Sequence, residues 1–240
     1  MRKIRDIHNH SLWGVDDGSG SEQTTEQMLL MAAKDGISEI ILTPHHQPGR
    51  FQASMEELIQ KKKRLEEKFS DGNCKLGLYL GSEIWYYDGC MEQLEAGAVS
   101  TMADSRYILT EFSTSANYDY IRQAVYQFTS HGYFPILAHV ERYKSLQKAS
   151  LIEELAEAGA YIQVNAGSIL GARGFLIKSY CKKLMKEGLL HFVASDAHDT
   201  ERRRPLLSEC ASYVEKHFGS DYADELFYEN AGKILRNEII

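Results

Sequence analysis

The sequence predicts an α/β protein whose parallel strands close into a distorted (β/α)7 barrel, and three observations carry that prediction. Apolar, strand-like runs alternate with amphipathic helical stripes about seven times along the 240 residues. The stripes run roughly 10 to 16 residues, the length that parallel βαβ crossovers use. No glycine-rich phosphate loop follows the first strand, which disfavours a doubly wound nucleotide-binding sheet and leaves a closed barrel preferred.

Each element has a local reason. Residues 4–8 read as the first strand. Thr24 and Gln27 stand at capping-box spacing, opening a helix through Met28 and Ala32 that Gly36 stops. Residues 39–43 (EIILT) are an apolar strand. Ser54 begins a helix with Met55, Leu58, Ile59, Leu65 and Phe69 on one face, while Lys61, Lys62, Lys63 and Arg64 fall mostly on the solvated side. Leu76, Leu78 and Leu80 alternate as a strand, and residues 107–112 form the next. A stripe of Tyr120, Ile121, Ala124, Val125 and Phe128 ends at Gly132 and leads to a strand at 134–138. Ser150 caps a helix that stops at Gly159, before a strand at 161–165. Ile177, Tyr180, Cys181, Leu184 and Met185 make a stripe ending at Gly188, and residues 191–195 are the seventh strand. A helix follows Pro205, and two short ones, at 221–227 and from Asn230, close the chain. No composition break or Ser/Gly/Pro-rich linker interrupts this order, so residues 1–240 are read as a single domain.

Composition excludes several functions. Hydrophobic residues make up 43% and charged residues 25%, an ordinary globular balance. A net charge of −7 leaves no basic footprint for general nucleic-acid binding. The N-terminal MRKIRDIHNH lacks the apolar region of a signal peptide, and no run approaches the ~20 apolar residues of a membrane span, so a cytoplasmic protein is expected. Cys74, Cys90, Cys181 and Cys210 form no CxxC pair and sit in no arginine-flanked phosphate loop. Free buried thiols in a reducing compartment are the expected state.

The strand ends are where the chemistry gathers. His8 and His10 stand at i and i+2 on the first strand, able to reach one ion. Asp16 and Asp17 follow in a glycine-bounded loop (GVDDG). The second strand runs into His45 (TPHH) and the third into Glu83 (GSE). The fourth carries Glu111 in an apolar stretch, the fifth runs into His139, and the seventh into Asp196 and His198. In a parallel barrel these ends converge on one face, where the active site lies. Counting one of the two aspartates, nine nitrogen and oxygen donors are too many for one ion, so two or three are implied. Without a thiolate the set suits Mn, Fe or Zn.

This constellation resembles the PHP superfamily of polymerase and histidinol phosphatase domains. The stretches DIHNH, GVDDG, TPHH, GSEIWY, EF, AHVERY and VASDAH are most similar to the bacterial manganese-dependent tyrosine phosphatases of capsule and exopolysaccharide loci. The resemblance covers most of the chain. It implies a distorted (β/α)7 barrel and a metal set of His8, His10, Asp17, His45, Glu83, Glu111, His139, Asp196 and His198. It selects Asp17 over Asp16. It also implies arginines on the phosphate: Arg142 from AHVERY, and one in Glu201-Arg202-Arg203-Arg204-Pro205, where gapless spacing favours Arg203 while Arg204 precedes the proline. An expected partition gives Asp17, His45 and His198 one ion, and His8, His10 and Asp196 another, with Glu83 bridging. Trp13 departs from a position where the family often has proline.

The implied activity is metal-dependent hydrolysis of protein phosphotyrosine, needing no cysteine nucleophile or phosphoenzyme. The phenol, with a pKa of ~10, is a better leaving group than a serine alkoxide. The implied partner is the tyrosine-rich tail of a bacterial tyrosine autokinase controlling polysaccharide export, and oligomers are common in the family. The alternative activities are histidinol-phosphate phosphatase or a general PHP phosphoesterase, which would use the same metal set. A non-catalytic PHP module would have lost ligands, and none is missing.

Overall fold

A computed structural model of the chain describes residues 3–69 and 75–240. Among them lie nine strands: β1 (Ile4–Asn9), β2 (Ile37–Leu42), β3 (His45–His46), β4 (Gly77–Leu80), β5 (Glu83–Trp85), β6 (Tyr107–Glu111), β7 (Phe134–Leu137), β8 (Tyr161–Asn165) and β9 (Phe192–Ala194). The helices are α1 (Glu22–Lys34), α2 (Met55–Phe69), α3 (Cys90–Glu95), α4 (Tyr118–Ser130), α5 (Ala149–Glu157), α6 (Ala166–Leu170), α7 (Phe175–Lys186), α8 (Ser208–Phe218), α9 (Ser220–Asp224) and α10 (Asn230–Arg236). The strands pair in parallel, in the orders β1-β2-β4 and β3-β5-β6-β7-β8-β9. The result is a curled parallel sheet with helices outside it. Among the described residues no helix is long and apolar enough to cross a membrane.

Two short strands, β3 and β5, were not legible as strands. Pro44 has no N–H to give and ends the β2 ladder. Gly81 ends β4, where an added Cβ would meet Met102 Sδ at 2.8 Å and Ile41 Cγ2 at 3.1 Å. Beyond these breaks the chain pairs again, with His45 opposite Glu83 and His46 opposite Ile84. The kink therefore sets two of the sequence-selected side chains in one register.

The curl is tied from its first strand to its last. Asn9 bridges Ala197, His10 N–H donates to Ala197 O at 2.8 Å, and Asp196 N–H donates to His8 O at 2.9 Å. Buried Asp6 accepts from Ser195 N at 3.0 Å and Ser195 Oγ at 2.6 Å. Burial pushes the Asp6 carboxyl up, against the bonds from Ser195 and Asn9 that favour its charged form.

Two apolar layers follow from strand alternation. Outside, helices bury one face against the sheet. On α4 that face is Ile121, Ala124, Val125 and Phe128, with its large members contributing about 1.5–3 kcal/mol each. Inside, Ile7, Ile41, Leu109, Ile136, Phe192 and Ala194 pack with Ala231 and Ile234 of α10. Asn230 Nδ2 donates to His191 O at 3.0 Å and Arg106 N–H donates to Asn237 Oδ1 at 2.9 Å, so α10 plugs the N-terminal ends of the strands. The opposite ends are left for polar groups.

Two expected caps are corrected. Ser21, not Thr24, caps α1, its Oγ accepting from Thr24 N–H at 3.1 Å. The α5 helix starts at Ala149 with no side-chain cap, so Ser150 lies inside its first turn.

Candidate metal centre

The structure brings all nine sequence-selected donors to the C-terminal ends of the strands. His8 and His10 arrive on and just past β1, after a bulge between Asp6 and Asn9 in the pairing with β2. His45 and Glu83 come from the paired β3 and β5, and Glu111 ends β6. His139 follows β7, and Asp196 and His198 follow β9. His139 and Asp196 both hold positive φ, 37° and 53°. Left-handed backbone is costly for a residue with a Cβ, and here it turns the chain sharply at the cluster.

Glu83 lies at the centre. Its Oε2 stands 3.2 Å from His8 Nε2, 3.2 Å from His10 Nε2 and 3.0 Å from His45 Nδ1, while Oε1 meets His139 Nε2 at 2.9 Å. Asp196 Oδ1 lies 3.5 Å from His8 Nε2 and 3.6 Å from His10 Nε2. At the rim, Asp17 Oδ1 lies 3.4 Å from His45 Nε2 and 3.5 Å from His198 Nε2. Glu111 meets His45 Nδ1 at 2.9 Å. Three overlapping sets of donor atoms are compact enough to hold an ion: His8, His10 and Asp196; His10, His45 and His198; and His45, Glu83 and Glu111.

Three histidines have their outer nitrogen engaged, which fixes the tautomer and leaves Nε2 free to coordinate. His10 Nδ1–H donates to Asp16 Oδ2 at 2.7 Å. His198 Nδ1–H donates to Asp196 O at 3.0 Å. His8 Nδ1–H donates to Gln163 Oε1 at 3.2 Å. Gln163 Oε1 also accepts from His139 N–H at 2.8 Å, and its Nε2 donates to Asn165 Oδ1 at 2.9 Å. Asn165 Nδ2 in turn donates to Asp196 Oδ2 at 2.7 Å. β8, which supplies none of the nine donors, thus supplies the groups behind His8 and Asp196. Sequence reasoning passed over Gln163, Asn165 and the role of Asp16. Asp16 also accepts from His45 N–H at 2.9 Å and Gly18 N–H at 2.9 Å. An added Cβ at Gly18 would sit 2.2 Å from His10 O, so the loop closes on β1 only with glycine there.

Charge states follow from these contacts. Burial disfavours an imidazolium at His10, but Asp16 and Glu83 outweigh it and push its pKa up to about 10. His45 is raised as well, with Glu83 and Glu111 outweighing its burial. His198 is pulled down to about 4 by burial and by His10, and stays neutral. Glu83 and Asp196 are buried, yet the charges of His8 and its neighbours hold both carboxyls well below the ordinary range. The neighbouring His198, with His45 and His10, holds Asp17 down too.

This set fits divalent ions. Glu83 Oε2 and His198 Nε2 are buried with no hydrogen bond. Asp196 Oδ1 is buried beside them and is ion-paired with Arg203 Nη2 at 2.5 Å. Buried carboxylate and imidazole atoms left without hydrogen bonds are costly unless a cation lies between them.

Beside the cluster a cavity of about 230 Å³ is lined by Arg142, Arg203 and Asp196, among others. Arg142 Nη1 lies 3.3 Å from Asp196 Oδ2. Asp199 Oδ1 holds the Arg203 loop, accepting from the N–H groups of Glu201, Arg202 and Arg203 at 2.7, 2.6 and 3.1 Å. Among the described residues Arg204 lines the cavity without an ion pair, which favours Arg203 as the partner of Arg142. Of the other histidines, His191 Nδ1 accepts from Ile162 N–H in the core and burial pulls it down to about 4. His131 donates to Gln127 O at the end of α4. Burial pushes the Cys90 thiol up to about 11 and raises Cys181 and Cys210, so none is a ready thiolate. Cys74 lies outside the described residues.

A curled parallel sheet with a buried imidazole–carboxylate cluster at the C-terminal ends of its strands defines a class, the metal-dependent hydrolases of TIM-like fold. Within that class the chain belongs to the CpsB/CapC family of capsular polysaccharide synthesis, whose profile matches residues 4–236. It is 30% identical over 241 residues to tyrosine-protein phosphatase CpsB of Streptococcus pneumoniae, spanning 98% of this chain and 99% of that one. It is 34% identical over 236 residues to tyrosine-protein phosphatase YwqE of Bacillus subtilis, spanning 98% and 92%. A solved structure from work on those two proteins, described as unique metal-dependent tyrosine phosphatases, superposes with a TM-score of 0.91 at 34% identity, covering 99% of this chain and 96% of that one.

Proposed function

We propose that this chain hydrolyses phosphotyrosine in proteins, with His8, His10, Asp17, His45, Glu83, Glu111, His139, Asp196 and His198 holding two or three divalent ions, manganese first among them. The observation that carries the reading is the placement of those donors against a cavity walled by Arg142 and Arg203. Bound there, divalent ions supply positive charge to offset the phosphate's own and lower the pKa of coordinated water. The distances support a partition with His8, His10 and Asp196 on one ion and Asp17, His45 and His198 on another, Glu83 lying between. Arg142 and Arg203 clamp the phosphate, since planar guanidinium matches its oxygens two at a time. Asp196 anchors both arginines, at 3.3 and 2.5 Å, and keeps their forks at the edge of the cluster. Asp16 and Gln163 hold His10 and His8 with Nε2 inward. No thiol takes part.

The same reading makes the sheet a (β/α)7 barrel, counting β2 with β3 and β4 with β5 as kinked single strands. It takes residues 1–240 as one domain and places the protein in the cytoplasm, acting on the tyrosine-rich tail of a bacterial tyrosine autokinase. The deciding experiment combines metal analysis of the purified protein with turnover of a phosphotyrosine peptide and of histidinol phosphate. Bound transition metal, activity lost to a strong chelator and restored by Mn, and preference for the peptide are expected. Full activity in a protein shown to be metal-free, or preference for histidinol phosphate, would overturn it.

A further inference from the structure

The cavity beside the donor cluster carries more positive charge than one phosphate requires. It is lined by Arg142, Arg173, Arg202, Arg203 and Arg204, and by two acidic residues, Asp196 and Glu209. Arg142 and Arg203 already face Asp196. Arg173, Arg202 and Arg204 pair with no carboxylate among the described residues. Arg173 lies in the turn between α6 and α7, and Arg202 in the Asp199-bound loop that also carries Arg203. Both loops contribute to the lining of the one cavity.

Like charges held together repel one another. Burial and the neighbouring Arg142 both push the Arg173 pKa down, with Arg203 adding to them against Glu141 and Asp196. A guanidinium does not lose its proton in response. An anion in the cavity would relieve that field, and a single phosphate between Arg142 and Arg203 leaves the other side uncompensated.

We propose that Arg173 and Arg202 form a second anion subsite, which takes a second dianionic group of the substrate peptide while Arg142 and Arg203 hold the phosphate being cleaved. This rests on the phosphatase reading and specifies its substrate: a peptide with two phosphates close together in sequence. A dianion suits the subsite better than a single carboxylate, because two guanidinium forks offer paired N–H groups to more oxygens than one carboxylate has.

The test uses metal-loaded protein and peptides whose phosphotyrosines are replaced by non-hydrolysable difluorophosphonomethyl-phenylalanine. One peptide carries a single phosphonate, one carries two, and one carries a phosphonate and a nearby glutamate. Fluorescence anisotropy should show the second phosphonate tightening binding by about tenfold, as a charge-assisted contact is able to do. Arg173→Ala with Arg202→Ala should abolish that gain, and Arg173→Lys with Arg202→Lys should keep part of it. Turnover of para-nitrophenyl phosphate should stay within about twofold in both variants, since neither residue lies in the proposed clamp. Equal affinity for the one- and two-phosphonate peptides would overturn the subsite, as would a gain that survives both replacements. A glutamate that matches the second phosphonate would overturn the dianion assignment. If metal-loaded parent protein turns over neither para-nitrophenyl phosphate nor a phosphotyrosine peptide, the phosphatase reading itself fails, and that outcome is separate from the binding result.

Discussion

Replacing Gln163 with leucine should loosen the metal centre while leaving the apolar core filled. The glutamine is fully buried and makes three side-chain hydrogen bonds: from His8 Nδ1, from His139 N–H, and to Asn165 Oδ1. Leucine is close in volume, so little cavity opens, but all three partners lose their contact in a dry place. An orphaned buried group costs about 1–3 kcal/mol, so three of them sum to roughly 3 kcal/mol even at the low end. The effect at the ions comes through His8, whose ring is then free to rotate or change tautomer, and through Asn165, which no longer fixes Asp196. Loss of such outer contacts typically lowers metal affinity 10- to 100-fold, equivalent to about 1.4–2.7 kcal/mol. Denaturant unfolding in excess chelator measures the first quantity, and competition against a chelator of known affinity measures the second. Gln163→Glu keeps an acceptor for His8 and should retain more affinity than Gln163→Leu. Metal affinity of Gln163→Leu within twofold of the parent would refute the argument, because His8 would then be oriented by something else.

Other outcomes follow from the same contacts. Arg142→Ala should lower phosphotyrosine turnover with metal content nearly unchanged, Arg142→Lys should rescue only part of it, and Arg203→Ala should exceed Arg204→Ala in effect; kinetics with metal analysis decides. Replacing Cys74, Cys90, Cys181 and Cys210 together should leave turnover within a few-fold of the parent, and a trapped phosphocysteine would contradict the reading. In the metal-free chain His10 is raised from its ordinary 6.5 to about 10, so its contribution to folding is complete below 6.5 and is lost as pH climbs toward 10. The carboxyls of Asp17, Glu83 and Asp196 are held down, and their contributions do not change across that window. The melting temperature of chelated protein should therefore fall between about pH 6.5 and 10, more than that of Mn-loaded protein, and a rise would contradict the assignment. Metal binding must also release protons from His10 and His45, which calorimetry in buffers of different ionisation enthalpy will detect.

The fold was legible wherever periodicity has a single meaning. The α4 stripe and β8 stand where the alternation puts them, and Gly36, Gly132, Gly159 and Gly188 each follow a helix end. Local ambiguity appears where two residues compete for one job. Ser21 and Thr24 are both good caps, and Ser21 wins because its extended backbone, with φ near −149°, turns Oγ onto Thr24 N–H. The strands β3 and β5 were illegible for another reason. Their two and three residues are too short for any pattern, and they form because β3 finds β5 beyond a break and β5 lies between β3 and β6.

The site divides along the same line. Imidazoles and carboxylates at strand ends announce themselves, because burying them without a cation is costly. The groups that aim them do not. In β8, Gln163 and Asn165 alternate with Ile162 and Val164, the ordinary pattern of a strand with one wet face. Only the curl of the sheet turns that polar face toward His8 and Asp196 instead of solvent. Asp16 and Asp17 are chemically identical neighbours, and the chain separates them by geometry. Gly18 lets the loop press against His10, which draws Asp16 behind the ring and leaves Asp17 at the rim facing His45 and His198. An alanine at Gly18 should break that division, since a Cβ 2.2 Å from His10 O forces the loop outward. Both aspartates would then be displaced by one substitution that removes no donor. Lowered metal affinity in Gly18→Ala, with all nine donors intact, is the expected result by chelator competition, and unchanged affinity would show that the loop tolerates the methyl group by another path.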